Sequence, residues 1–126
     1  MKMNIRSYPI LIISVFFTSS VFAAIPDCGK LPDYVREFDR SMRVCVKNAN
    51  MCGTGKDKIV IQVFSNNEGK LPKLKSPFSY VEGKYFEQGQ FDKYNKFRLV
   101  VKVDGGNNFS ERYYTSDHYI TFCKLP

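Results

Sequence analysis

The chain has 126 residues, 44% of them hydrophobic, and 19 basic against 12 acidic side chains give it a net charge of about +7. This length supports one modest core and excludes several large domains, and no internal repeat or low-complexity tract interrupts it. The positive charge suits a polyanionic partner, because cationic surfaces raise encounter rates with phosphate backbones. The same charge is also ordinary for an exported bacterial-type protein.

Residues 1–23 have the pattern of a secretory signal peptide. Basic residues precede an apolar stretch from Pro9 to Phe17, and Val21 and Ala23 are the small residues that signal peptidase prefers. The alternative is an uncleaved membrane anchor, but the apolar stretch is short for a membrane span. We therefore expect a secreted protein, extracellular or periplasmic, whose mature domain is 24–126 and which has no membrane association after cleavage.

Four cysteines remain after the predicted cleavage: Cys28, Cys45, Cys52 and Cys123. An even number in an exported protein indicates two disulfides, and four cysteines allow three pairings. The spacings do not match a zinc site, so we expect no metal. We favour a Cys45–Cys52 bond across a short loop and a Cys28–Cys123 bond between the two ends of the domain, although the sequence leaves the pairing open.

The mature chain begins with a predicted helix. It starts near Leu31-Pro32-Asp33, because proline in the first turn and an acidic residue both suit a helix start. Apolar residues then recur at helical spacing, with charged residues between them. These apolar residues are Tyr34, Val35, Phe38, Met42 and Val46.

After residue 55 the pattern becomes that of β-strands. Strands are predicted over 59–64, 78–86, 97–103, 112–115 and 119–123. The segment from Asp104 to Asn108 has the composition of a hairpin turn. One helix followed by about five short antiparallel strands predicts an α+β domain, with the N-terminal helix packed on one face of a twisted sheet.

Two segments carry the strongest functional signal. One runs from Tyr113 to Phe122 and contains the only histidine, His118, and the other runs from Val63 to Pro72 and reads VFSNNEGKLP. Both resemble segments of the barnase-like, guanyl-specific microbial ribonucleases, and a looser resemblance extends back to Cys28. It implies the microbial ribonuclease fold and a monomeric enzyme without metal or cofactor. Such an enzyme cleaves single-stranded RNA 3′ of guanosine through a 2′,3′-cyclic phosphate, which it then hydrolyses.

Cleavage of RNA by its own 2′-hydroxyl needs a base, an acid and a cation for the phosphoryl oxygens. The resemblance places the acid at His118, whose side chain titrates near neutral pH, and the phosphate-binding cation at Arg98. It places the base at Glu82, which lies fourteen residues after Glu68, one more than in the family. Glu87 is the alternative base. His118 could instead be a structural turn residue, and Arg98 part of a cross-strand ion pair.

The resemblance places base recognition in the loop from Phe64 to Glu68. The Glu68 carboxylate would accept from the N1–H and the amino group of guanine, backbone N–H groups would donate to O6, and aromatic rings would stack on the base. The residues expected to contact the base are Phe64, Ser65, Asn66, Asn67, Glu68 and Tyr119. Without a bound base, the same residues are a β-turn.

The chain departs from the family at two positions. Tyr94 stands where the family has a second active-site arginine, and Lys93 and Lys96 are expected to supply substrate-binding charge there, without the planar fork of arginine. Asn67 also stands where the family usually has arginine. These differences keep open an alternative function, a catalytically weak RNA- or inhibitor-binding module on the same fold. A small disulfide-bonded inhibitor of another hydrolase is a third hypothesis.

The resemblance also implies a protein partner. An RNA-cleaving enzyme that folds before export would harm the cell that makes it. We therefore expect a barstar-like cytosolic inhibitor, whose acidic surface would complement a basic cleft.

Overall fold

The computed structural model describes residues 8–16, 24–53, 58–85 and 96–126. Its elements are helix α1 (Asp33–Lys47), a 3₁₀ turn (Ala49–Met51), and strands β1 (Ile59–Phe64), β2 (Ser79–Tyr85), β3 (Arg98–Val103), β4 (Phe109–Thr115) and β5 (Cys123–Lys124). The strands form one antiparallel sheet in the order β1-β2-β3-β4-β5. The predicted α+β architecture, with one helix on a five-stranded antiparallel sheet, is confirmed.

The predicted signal peptide falls mostly outside the described residues, which do not include Val21 or Ala23. Its described part, residues 8–16, is exposed and contains no helix or strand. None of the helices in the described ranges is long and apolar enough to cross a membrane. The signal peptide therefore stays a prediction.

Helix α1 covers one face of the sheet, which we call the helix face. The helix buries its apolar side against strand residues that alternate with those of the opposite face. Gly83 in β2 lets the helix approach closely, because a Cβ atom there would lie 2.8 Å from Cε of Met42. The buried cluster between the helix and the sheet contains Val35, Phe38, Met42, Cys45, Val46, Ile59, Leu99, Val101, Val103, Tyr114 and Leu125.

The opposite side of the sheet, which we call the open face, carries a smaller cluster. It contains Leu71, Tyr80, Val100, Tyr113 and Phe122, with Phe64 and Tyr119 partly buried beside them. The strand residues of this cluster alternate with the helix-face residues, and so do two buried charged residues, Glu82 of β2 and Arg98 of β3. The open face therefore carries two buried charged side chains within its sheet surface.

Both favoured disulfides are present, Cys28–Cys123 and Cys45–Cys52. The first holds the segment before α1 against β5, where the Cys28 N–H donates to the Lys124 carbonyl at 2.9 Å. Cys45 lies within the buried cluster of the helix face, and the other three cysteines pack against it. The covalent cross-links therefore reinforce the helix side of the sheet.

The prediction of a strand over 119–123 is wrong, because β5 contains only Cys123 and Lys124. The preceding residues form a loop around the Asp117 carboxylate, whose Oδ1 accepts from the Thr121 N–H at 2.9 Å and whose Oδ2 accepts from the Thr121 hydroxyl at 2.5 Å. These hydrogen bonds compete with strand pairing. His118 and Tyr119 accordingly have φ values of 57° and 72°, far from those of a strand.

Candidate active site

The loop between β4 and β5 holds two adjacent residues in the left-handed region of backbone space. His118 and Tyr119 are neither glycine nor asparagine, so this conformation is uncommon and requires support from its surroundings. The Thr115 hydroxyl oxygen accepts from the Tyr119 N–H at 3.1 Å, and the Lys96 carbonyl accepts from the His118 N–H at 3.1 Å. The positions of both side chains are thus set by backbone contacts to β4 and to the start of β3.

Asp117 is the side chain that organises this loop. Burial acts to raise the pKa of Asp117, but hydrogen bonds from Thr121 and Thr115 outweigh it and hold the pKa below its usual value. The Thr115 hydroxyl donates to Oδ1 of Asp117 at 2.8 Å. The loop is therefore built on an ionised carboxylate.

Tyr119 connects the two buried charges of the open face. Its hydroxyl donates to Oε2 of Glu82 at 2.6 Å and accepts from Nε of Arg98 at 3.1 Å. Burial, and then the hydrogen bond and charge of Glu82, raise the pKa of Tyr119 to about 12. The phenol thus stays protonated at neutral pH and bridges the Glu82 carboxylate and the Arg98 guanidinium in one hydrogen-bonded chain.

Glu82 is only 5% exposed, and each of its oxygens has a donor. Oε2 accepts from Tyr119, and Oε1 accepts from Nε2 of Gln62, the residue opposite Glu82 in the β1–β2 pair. A buried carboxylate is costly unless such donors satisfy it. The strand pairing of β1 with β2 therefore supplies the setting for this carboxylate.

Arg98 opens β3 and is 7% exposed. Besides its contact with Tyr119, it donates through Nη1 to the Phe97 carbonyl at 2.8 Å, and its guanidinium lies 5.8 Å from the centre of the Tyr119 ring. These contacts hold the planar guanidinium of Arg98 beside Tyr119, whose hydroxyl donates to Glu82.

His118 lies at the surface of the same group. Its ring centre is 4.7 Å from that of Tyr119, and its side chain is exposed and makes no hydrogen bond to the described residues. The structure therefore brings together Glu82, Arg98 and His118 around Tyr119. Glu82 and Arg98 reach the group from strands, whereas His118 reaches it from the loop between β4 and β5.

Tyr119 also lines a cavity of about 170 Å³. The cavity is lined by Phe64, Ser65, Asn66, Asn67, Glu68, Lys70 and Tyr119. Phe64 and Tyr119 form an aromatic wall, with nearly parallel rings 5.4 Å apart. All six residues expected to contact a base therefore surround one cavity, together with Lys70, which the sequence analysis did not select.

Asn66 gives the loop that lines this cavity its shape. Its φ of 53° suits asparagine, and its side-chain amide donates to the Leu71 carbonyl at 2.8 Å and accepts from the Leu71 N–H at 3.1 Å. The exposed carboxylate of Glu68 makes no hydrogen bond or ion pair to the described residues. Asn66 is thus occupied in building the loop, and Glu68 is available to a ligand.

A groove of about 710 Å³ lies beside the cavity. It shares Phe64, Ser65 and Asn66 with the cavity and continues past Lys73 and Leu74. A ligand larger than one nucleotide can therefore extend from the cavity along the loop between β1 and β2.

Several predicted residues cannot be placed. Lys93, Tyr94 and the alternative base Glu87 lie outside the described residues. Lys96 is exposed, and its main-chain carbonyl accepts from the His118 N–H. Within the described ranges, no group of three or more His, Cys, Asp or Glu side chains could hold a metal ion.

The sequence analysis missed two features of the site. It did not select Gln62, although a polar residue within a β-branched strand signals a partner on one face. It treated Tyr119 only as a stacking residue and missed the polar role of its hydroxyl, for which the sequence holds no signal.

Comparison with solved structures shows similarity to ribonuclease Sa2. One crystal structure contains ribonuclease Sa2 with guanosine-2′-cyclophosphate, and another comes from its complexes with mononucleotides. Each has a TM-score of 0.51 and 25% identity over 82% of this chain, and the matches cover 97% and 95% of those chains, respectively. No protein-family model and no curated protein sequence matches the chain. The similarity shows that this chain has the microbial ribonuclease fold, and it supports a ribonuclease activity for it.

Proposed function

We propose that this protein is a metal-independent endoribonuclease that prefers guanosine and cleaves single-stranded RNA on its 3′ side. The observation that carries the proposal is the hydrogen-bonded chain from Glu82 through Tyr119 to Arg98, with an exposed histidine ring beside it. A carboxylate, a cation and an imidazole are the three groups that transphosphorylation of RNA requires.

In the first step, Glu82 takes the proton from the 2′-hydroxyl, and the 2′ oxygen attacks the adjacent phosphorus. His118, in its protonated form, gives a proton to the departing 5′ oxygen, and a 2′,3′-cyclic phosphate forms. Arg98 stabilises the negative charge that grows on the phosphoryl oxygens. In the second step the roles exchange: His118 removes a proton from water and Glu82 returns one to the 2′ oxygen.

Tyr119 acts as a positioning residue in this scheme. Its hydroxyl contacts both Glu82 and Arg98, so it holds the base and the cation at a fixed separation. Fixed donors and acceptors need no rearrangement during the reaction, which is how preorganised sites lower a barrier.

Guanine recognition is assigned to the cavity of about 170 Å³. The Glu68 carboxylate accepts from both guanine N–H donors, and Phe64 and Tyr119 offer rings for stacking. The binding of guanosine-2′-cyclophosphate by ribonuclease Sa2, a protein of similar structure, supports this assignment. Lys70 lines the same cavity, and we expect Lys93 and Lys96 to supply further substrate-binding charge. Because lysine lacks the arginine fork, we expect a slower enzyme than one with two active-site arginines.

The two disulfides support an oxidising destination, as does the predicted signal peptide over residues 1–23. We therefore propose that the protein is exported and acts as a monomer. A barstar-like inhibitor with an acidic surface would fit the same cleft, since it would cover a region with several exposed lysines.

The proposal is tested by cleavage of four dinucleotides, GpU, ApU, CpU and UpU, in EDTA. We expect kcat/KM for GpU to exceed that of the others by about 100-fold. In the Glu68→Gln variant this ratio should fall by about 10-fold or more, because hydrogen bonds to a charged acceptor contribute about 1.5–3 kcal/mol. The matched control is Glu37→Gln, an exposed carboxylate of α1 that lines neither the cavity nor the groove of the open face.

Equal rates for all four dinucleotides would contradict the guanosine preference. Binding of guanosine nucleotides without any cleavage would favour the alternative, an RNA-binding module on the same fold.

A further inference from the structure

The exposed side of α1 carries a row of four basic residues, which we call the α1 basic row: Arg36, Arg40, Arg43 and Lys47. Their spacing of four, three and four residues places them on one side of the helix. The row spans about 16 Å at 1.5 Å per residue. Since α1 packs on the helix face, the row lies on the opposite side of the sheet from the candidate active site.

Two surface depressions follow this row. One, of about 520 Å³, is lined by Gly29, Lys30, Leu31, Arg36, Asp39, Arg40, Arg43, Arg112, Leu125 and Pro126. The other, of about 360 Å³, is lined by Arg40, Arg43, Val44, Lys47 and Phe109. Arg40 and Arg43 line both, so the depressions adjoin and form one concave, strongly basic surface.

Groups of the same chain neutralise only part of the positive charge of this surface. Among the described residues, Asp39 is the one acidic side chain that lines either depression, and it is shared by Arg112, at 2.7 Å, and Arg43, at 3.5 Å. Arg112 also donates to the main-chain oxygen of Pro126. Arg36 pairs with Asp33 at the surface.

The remaining positive charge of this surface is not neutralised by the described residues. Arg40 and Lys30 make no hydrogen bond or ion pair to the described part of the chain. Arg43 has a buried Nε without a hydrogen-bond partner there. Lys47 lies 5.4 Å from the centre of the Phe109 ring, a contact that leaves its charge intact. The surface therefore has spare donors and surplus positive charge.

We propose that the α1 basic row binds the phosphodiester backbone of single-stranded RNA, as a second contact surface distinct from the candidate active site. The row is longer than one phosphate group, so it fits a polymer better than a single anion. Three of its four cations are arginines, whose planar forks match phosphate oxygens. The inference takes the identity of the polymer from the proposed function.

The same surface is poorly suited to a lipid bilayer. A helix that binds a membrane interface inserts bulky apolar side chains. Here the apolar side of α1 is packed in the core, and of its large apolar residues only Val44 is exposed, at 43%. A concave basic surface without apolar anchors fits a charged strand.

Binding at the row would act on long substrates only. An RNA held there has a raised local concentration near the same molecule's cleavage site. A dinucleotide is too short to contact both sides of the sheet. We therefore expect the row to lower KM for long RNA and to leave the kinetics for GpU unchanged.

The test is a salt titration of RNA binding by fluorescence anisotropy. The probe is a labelled 20-nucleotide 2′-O-methyl oligouridine, which lacks both guanine and the reacting hydroxyl. The variant is Arg40→Gln/Lys47→Gln. The control, Lys58→Gln/Lys75→Gln, removes the same charge at two exposed lysines that line neither the depressions nor the groove and cavity of the open face.

For the row variant, the slope of log K against log salt should become shallower by about 1.4, since each lost single-strand phosphate contact contributes about 0.7. The control should keep the wild-type slope within error. Equal slopes for row variant and control would overturn the inference. It would also be overturned if the row variant lost affinity for vesicles of anionic lipid but not for RNA.

Cleavage assays separate this inference from the proposed function. If the row variant has the shallower salt slope but the wild-type protein cleaves no RNA, the proposed function is refuted and the binding surface is supported. Guanosine-specific cleavage of GpU with equal salt slopes would refute the binding surface alone.

Discussion

The two faces of the sheet divide stability from chemistry. The helix face is an apolar cluster that contains or contacts all four cysteines. The open face carries a smaller aromatic cluster with two buried charges joined by a tyrosine. Neighbouring residues belong to different faces: Glu82 points away from the helix, and Gly83 lies under Met42. Because side chains alternate along a strand, adjacent residues can contribute to the core on one face and to the candidate site on the other.

The largest expected effect on the open face is loss of activity in His118→Asn. Asparagine tolerates the left-handed backbone of residue 118 but cannot transfer a proton. We expect kcat/KM for RNA to fall by about 10²- to 10⁴-fold, with an unchanged melting temperature because the histidine ring is exposed. Steady-state kinetics and calorimetry check both parts. Full activity in this variant would remove His118 from the mechanism.

On the helix side, the two disulfides should differ in their contributions to stability. The cross-link Cys28–Cys123 spans 95 residues and Cys45–Cys52 spans 7. Chain-entropy estimates give about 5 kcal/mol for the longer loop and about 2 kcal/mol for the shorter one. Urea unfolding of the two double-serine variants measures this difference. Equal losses of unfolding free energy would contradict the entropic account.

Glu82 and Gly83 are adjacent in β2 but belong to different faces, so substitutions at the two positions should separate activity from stability. Gly83→Ala should lower the free energy of unfolding by about 1–3 kcal/mol, because the new methyl group meets Met42 in the core. Glu82→Gln should abolish most activity at a small cost in stability. Denaturant unfolding and kinetics are measured on both variants.

A double-mutant cycle supplies the control for Gly83→Ala. Since Met42→Ala removes the atoms that the new methyl group meets, the double variant should lose less stability than the sum of the single variants. Additive losses would show that Gly83 is required for another reason.

A smaller effect is expected for Tyr119→Phe. The ring and its stacking on Phe64 remain, but the hydroxyl that joins Glu82 to Arg98 is lost. We expect kcat/KM to fall by about 10-fold, equivalent to about 1.4 kcal/mol, which is near the lower end of the contribution of a hydrogen bond to a charged group. Tyr113→Phe, which removes a hydroxyl bonded to Glu111 on the same face, is the matched control. Equal losses in the two variants would show that Tyr119 has no special positioning role.

The smallest effect concerns acid stability. The hydrogen bonds from Thr121 and Thr115 hold the pKa of Asp117 below its usual value of 3.8, so they stabilise the fold above that pH. This contribution disappears as the pH falls through the lowered pKa. Asp117→Asn should therefore melt below wild type at pH 6, and the difference should shrink as the pH is lowered below 3.8. A difference that is constant with pH would contradict the ionised state of Asp117.

Much of the fold could be predicted because its signals are local. A run of β-branched residues predicted β1, the spacing of apolar residues predicted α1, and cysteine spacing favoured the two disulfides that are present. Six of the residues around the 170 Å³ cavity were found through resemblance, and five of them, residues 64–68, follow one another in a single loop.

The rest depended on contacts that sequence patterns do not record. The strand predicted after His118 was wrong because the Asp117 carboxylate takes up the backbone and side-chain donors of Thr121. The hydroxyl of Tyr119 reaches Glu82 only because β2 and the loop before β5 meet in space. The pairing of Gln62 with Glu82 likewise required the register of β1 and β2.

The most direct test of the open-face mechanism is to follow GpU by ³¹P NMR with the purified protein in EDTA. We predict that guanosine 2′,3′-cyclic phosphate accumulates first and then converts to the 3′-monophosphate, and that Glu82→Gln produces neither at a comparable rate. A substrate with a 2′-O-methyl guanosine should remain intact. Cleavage of that methylated substrate, or the absence of any cyclic phosphate with folded wild-type protein, would contradict the account.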